Sequence, residues 1–112
     1  MRVTISTTDE FNRQARRLAK KYKSLKNDLR SFQQELLDTP LQGDDLGGGV
    51  RKIRMAIASK GKGKSGRARV LTLNILVSDD VDDVTLLTIY DKNEIDNVSD
   101  DYIKWLVGEA KK

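Results

Sequence analysis

The chain predicts an α+β domain in the order β-α-α-β-β-β-α: a mostly antiparallel sheet with an N-terminal helical hairpin and a C-terminal helix. Three observations carry this. RARVLTLNILV (Arg67 to Val77) and DVTLLTIYD (Asp83 to Asp91) are rich in branched residues and joined by a short polar turn, as paired strands are. Apolar residues recur at helical spacing from Phe11 to Leu37, with one short break near Ser24. A last helical stripe, Ile103, Leu106, Val107 and Ala110, closes the chain. A length of 112 residues fits one domain with one core.

Taken in order, RVTIS (Arg2 to Ser6) alternates with Val3 and Ile5 on one face and reads as a short strand. Thr7, Thr8 and Asp9 are candidate N-caps, and Glu10 suits a first helical turn. Phe11, Ala15, Leu18, Ala19 and Tyr22 line one face of the helix that follows, while Arg13, Arg16, Arg17, Lys20 and Lys21 fill the other. A second helix over about Ser24 to Leu37 carries the stripe Leu25, Leu29, Phe32, Leu36 and Leu37. Pro40 ends it, because a residue before proline leaves the helical region. The short joint makes the pair an antiparallel hairpin. Leu41 to Gly49, with four glycines, reads as a loop. Val50, Ile53, Met55 and Ile57 mark the next strand and Ser59 to Gly66 a Lys/Gly loop. Ser99 is the N-cap expected for the final helix, with Asp100 and Asp101 at its positive end.

Charge is distributed unevenly. Between Arg51 and Arg69 stand eight basic residues and no acidic one, whereas the rest of the chain is net acidic, so the whole net charge of +4 arises in this window. Such a segment suits phosphate, whose neutralisation supplies most of the affinity of a nucleic-acid binder. The chain has neither Cys nor His, which excludes a disulfide framework, a thiolate metal site and the usual neutral-pH acid/base. No apolar run is long enough for a membrane span and Met1 to Ser6 is no signal peptide, so a soluble cytoplasmic protein without membrane association is expected.

Gly63-Lys64-Ser65 suggests a nucleotide-binding P-loop, but that motif needs glycine where Ala58 stands, and strand rather than helix follows. Lys60, Lys62 and Lys64 alternate with glycines that let a backbone approach phosphate. They are candidates for RNA binding, either as a basic loop alone or, since crowded ammonium groups repel, with one poised as an acid or base. Alternation puts Lys52 and Arg54 together on the solvent side of their strand, and Arg67 and Arg69 together at the head of an apolar face that continues through Leu71 and Leu73. Tyr90, Lys92 and Glu94 follow at alternate positions and are expected to share a face, as an acid/base set or an exposed ion pair. With one Trp, two Phe and three Tyr, the chain has too few aromatics for a single-strand binder built on many stacked bases.

These pieces in this order resemble the RelE/ParE superfamily of bacterial toxins, nearest its HigB/RelE-like branch. The matching text is GGGVRKIRMA (Gly47 to Ala56), SKGKGKSGRARV (Ser59 to Val70) and LLTIYDKNE (Leu86 to Glu94), preceded by a charged helix with KKY (Lys20 to Tyr22). The resemblance spans nearly the whole chain. It implies a microbial-ribonuclease-like fold and an endoribonuclease that cuts mRNA, commonly on the ribosome, with no metal or other cofactor. It also implies a cognate antitoxin, a helix-turn-helix protein encoded adjacently. In such cleavage the 2′-OH attacks the neighbouring phosphate, giving a 2′,3′-cyclic phosphate and a 5′-OH. By the resemblance, Arg69 is the phosphate-binding arginine, Lys92 the basic position after the last strand, and Glu94 the carboxylate following it. Arg54, Lys60, Lys62 and Lys64 match basic positions around the RNA. Several members carry a catalytic Tyr or His near the start of the final helix, where this chain has Ser99. Two other functions remain open: a ParE-like inhibitor of DNA gyrase, and a non-catalytic RNA-binding domain.

Overall fold

The computed structural model of the protein describes residues 2–60 and 67–112. Its elements are β1 (Arg2–Thr7), α1 (Asp9–Lys21), α2 (Leu25–Asp38), β2 (Asp44–Gly47), β3 (Val50–Ala56), a 3-10 turn at Ala58–Lys60, β4 (Arg67–Ser78), β5 (Val81–Asp91) and α3 (Asp100–Ala110). The strands form one sheet in the order β1-β5-β4-β3-β2. Every neighbouring pair is antiparallel except β1 with β5, which run parallel.

The two faces of the sheet follow from alternation along β3 and β4. Ile53, Met55, Ala68 and Val70 point to one side, where Phe11, Leu18, Leu25, Phe32 and Leu36 of α1 and α2 cover them. Val50, Leu71 and Leu73 point to the other, where Leu87, Tyr90 and Leu106 of α3 complete a second cluster. On β5 a register shift opposite Leu71 and Thr72 lets Leu86 and Ile89, three apart in sequence, serve one cluster and Leu87 and Tyr90 the other. Among the described residues no helix is long and apolar enough to cross a membrane.

Two expectations change. Asp44 to Gly47 is an edge strand rather than loop, and with β3 it makes a hairpin whose turn glycines, Gly48 and Gly49, have positive φ. Its side chains are all exposed, so backbone pairing alone makes it a strand, and no apolar alternation could announce it. Gly43 is obligatory at its entry: φ is +82°, and a Cβ there would lie 2.4 Å from the Lys52 carbonyl oxygen. Leu37, expected in the apolar stripe of α2, is instead 41% exposed, because the core-facing position of that turn is held by its neighbour Leu36.

The entry to α1 is fixed by Thr8. Its Oγ1 accepts from the Phe11 N–H at 2.9 Å and donates to the Leu87 carbonyl at 2.7 Å, so one hydroxyl caps the helix and fastens it to β5. Thr8→Ala should cost about 1–2 kcal/mol in urea denaturation, and Thr8→Ser much less.

Candidate functional site

Cross-strand register builds a lateral row. Arg54 of β3 stands opposite Arg69 of β4, and Arg69 opposite Tyr90 of β5, all on the sheet face that α3 covers further along. Lys52 lies one pleat along β3, opposite Leu71, and borders a cleft of about 740 Å³ between the β2–β3 hairpin and α3. Arg67 stands opposite Ala56 and, with Arg54, borders a smaller cleft against α2. Among the described residues no carboxylate lies within 4.0 Å of Lys52, Arg54, Arg67 or Arg69, whereas Arg51 and Lys60 of the same basic window each find one. Arginines on neighbouring strands at paired register positions are suited to an anion, since an oxyanion can accept from both.

Tyr90 closes the row. It is 3% exposed, and burial raises its phenol pKa despite the opposing charge of Arg69 beside it. A group so placed keeps its proton near neutrality, which suits it to donating a hydrogen bond rather than to taking a proton.

Lys60 is not a free member of a basic loop. Its Nζ lies 2.7 Å from Oδ1 of Asp91, with 8% of its side chain and none of the aspartate's exposed. The ammonium also sits over the ring of Tyr22, 5.3 Å from its centroid, and the Tyr22 hydroxyl donates to Asp91 Oδ2. The Asn93 N–H donates to Asp91 Oδ1 at 2.9 Å. Burial works against ionisation of Asp91, but bonds from Lys60, Tyr22 and Asn93 outweigh it and hold the carboxyl below its ordinary value. Lys62 and Lys64 lie outside the described residues.

The expected shared face of Tyr90, Lys92 and Glu94 does not form. β5 stops at Asp91, where the chain turns and the N–H groups of Glu94 and Ile95 both donate to the Asp91 carbonyl. Alternation ends with the strand. Lys92 pairs with Asp96 at 3.6 Å on the exterior. Glu94 swings towards α1 and accepts two bonds from Arg17, at 3.1 and 3.2 Å, with Lys21 at 4.0 Å. Arg17, Tyr22 and Asp91 thus hold the end of β5 to α1, on the sheet face opposite Tyr90, and sequence reasoning passed over them. The one available signal was Asp91 itself, an acid ending an apolar strand and so in need of a cation.

Next to Tyr90, the phenol of Tyr102 on α3 donates to Glu10 at 2.7 Å and lies 3.1 Å from Thr88 Oγ1. Burial, aided by the charge of Glu10, pushes this phenol up to about 12, while the bonds that Glu10 accepts from Tyr102, Arg13 and Gln14 outweigh its own burial and lower its pKa. Ser99, at the place where the resembling proteins carry Tyr or His, caps α3 by accepting from the Tyr102 N–H at 3.1 Å.

Comparison with known proteins agrees with this architecture. The family model described as the RelE toxin of the RelE/RelB toxin–antitoxin system matches residues 1–112. Among solved structures, the chain is similar to the free state of an arginine-to-alanine double mutant of E. coli toxin RelE. The TM-score is 0.56 at 16% identity, with 98% of this chain and 95% of that one covered, a likeness of fold.

Proposed function

The chain belongs to the RelE toxin family, toxins of toxin–antitoxin systems, and on that premise we propose that it is an endoribonuclease that cuts mRNA, on the ribosome, without a metal. The observation that carries the reading is the Arg54–Arg69 pair, unneutralised and fixed on adjacent strands beside a buried tyrosine. In this reading the two arginines hold the scissile phosphate and stabilise the charge that builds on its equatorial oxygens as the 2′-OH attacks. The bond from phosphorus to the 5′-oxygen breaks as the new 2′-oxygen bond forms, leaving a 2′,3′-cyclic phosphate and a 5′-OH. The 2′-OH proton leaves to solvent or a ribosomal group and the departing oxygen takes a proton from water, while Lys92, paired with Asp96 outside the row, is assigned to binding the RNA. Tyr90, protonated beside Arg69, donates towards a phosphate oxygen. Glu94 is assigned to holding Arg17 and Lys21 at the rim rather than to acting as a base, since both its oxygens are taken. Lys52, Arg67 and the loop lysines Lys62 and Lys64 extend the basic surface along the RNA and ribosome, and Lys60 fastens the root of that loop.

The same reading takes residues 1–112 as a single toxin domain acting in the bacterial cytoplasm. It is silenced by an adjacently encoded helix-turn-helix antitoxin that presents acidic groups to the basic face. The test is direct. Purified protein, freed of metal before use and added to translating ribosomes programmed with a defined mRNA, should yield fragments ending in 2′,3′-cyclic phosphate. Intact mRNA together with inhibited gyrase would transfer the chain to the gyrase-poisoning reading. Intact mRNA that nevertheless binds would leave an RNA-binding domain.

A further inference from the structure

Beside the arginine row, between the end of β5, α1 and the start of α3, lies a pocket of about 320 Å³. Its walls include Tyr90, Tyr102, Ile95, Val98 and Asn97. We infer that this pocket is a nucleobase subsite, which takes a base of single-stranded RNA adjoining the phosphate held by Arg54 and Arg69, and in which Asn97 reads the edge of that base. The inference rests on the ribonuclease reading for the identity of the strand, and on the geometry below for the pocket.

Position comes first. Tyr90 is both a wall of the pocket and the register partner of Arg69, so pocket and arginine row are contiguous through one residue. Paired strands lie ~4.8 Å apart, so a phosphate at Arg69 leaves its neighbouring nucleoside within reach of the cavity. Size and lining come next. The volume falls at the small end of the ~300–1,000 Å³ range of small-molecule sites and suits one planar ring system. Two aromatic residues and two aliphatic ones supply the apolar walls on which an unstacked base gains stabilisation. Ile95, an apolar side chain that is 40% exposed, stands at this wall with nothing of the protein fully covering it.

Rigidity is the third argument. The Tyr102 hydroxyl is tied to Glu10 and Thr88 on two other elements, and its ring stacks on Trp105 with centroids 5.9 Å apart. A wall immobilised in advance gives up little entropy on binding. The polar complement is Asn97. Its Oδ1 accepts from the Val98 N–H at 3.1 Å, which fixes the amide and, among the described residues, leaves its Nδ2 to donate to a ring nitrogen or carbonyl.

The experiment uses the full chain and a dinucleoside monophosphate whose 5′ nucleoside is 2′-deoxy, so that it binds but cannot be cut. Backbone-amide NMR should show shifts at Asn97, Val98 and Tyr102 as well as at Arg54 and Arg69. The emission of Trp105, the only tryptophan, should change in parallel. Inorganic phosphate should shift the arginine row alone. Asn97→Ala, at an exposed position, should weaken dinucleotide binding roughly five-fold, leave phosphate binding unchanged, and redistribute cleavage among bases on mRNA. Shifts at Arg69 without any from Asn97 to Tyr102 would overturn the subsite and leave the phosphate site standing. A free nucleoside bound as tightly as the dinucleotide would overturn the link between pocket and row. Occupation of the pocket by the dinucleotide in a protein that leaves mRNA whole would uphold the subsite and remove the ribonuclease reading instead.

Discussion

Replacing Arg69 by alanine should reduce RNA cleavage by about 100- to 1,000-fold, the usual cost of deleting one donor to a charge that develops in the transition state. Expression without antitoxin should then become harmless. Arg69 is half-buried, carries no ion pair among the described residues and donates only a long bond, 3.4 Å, to the Ala68 carbonyl. Its removal should therefore leave the thermal midpoint nearly unchanged. Arg69→Lys should fall between the two, because a lysine supplies the charge but not the planar fork. Cleavage at the wild-type rate by a folded Arg69→Ala protein would take the phosphate away from this row.

Asp91→Ala should destabilise the protein by about 3–5 kcal/mol, since it strands the ammonium of Lys60 in a buried site. Lys60→Met should cost a comparable amount, while Asp91→Leu with Lys60→Met should cost less than either alone, because no unpaired charge then remains. Urea denaturation of the set measures this directly. Acid gives an independent reading. The folded pKa of Asp91 is below its ordinary value, so the stability it contributes is fully present above the unfolded carboxyl's titration at ~pH 4 and is lost as pH falls through the lower folded value. Asp91→Asn should flatten the acid limb of the stability curve, and an unaltered limb would place that sensitivity elsewhere.

Much of this architecture was legible because it rests on local alternation. β4 and β5 announce themselves through branched residues, and the row from Arg54 to Arg69 follows once β3 and β4 pair antiparallel. What escaped were features without a local periodic signal. β2 pairs by backbone with every side chain exposed. Lys60 is 31 positions from Asp91 in sequence, and nothing near either residue points to the other. Tyr90, Lys92 and Glu94 were grouped by extending a strand period past the strand's end, where the turn at Asp91 sends Glu94 to α1 instead. The pocket beside Tyr90 depends on α3 and α1 meeting β5, which no single segment reveals.

The parallel pairing of β1 with β5 bears on when this protein can do harm. β1 waits for β5, and the bond that fastens the start of α1 to the sheet waits for Leu87, 79 positions downstream of Thr8. Tyr90 belongs to that same late strand, so the row beside it cannot assemble on a nascent chain that stops short of β5. On the proposed ribonuclease reading, activity is thus deferred by topology until β5 has been made.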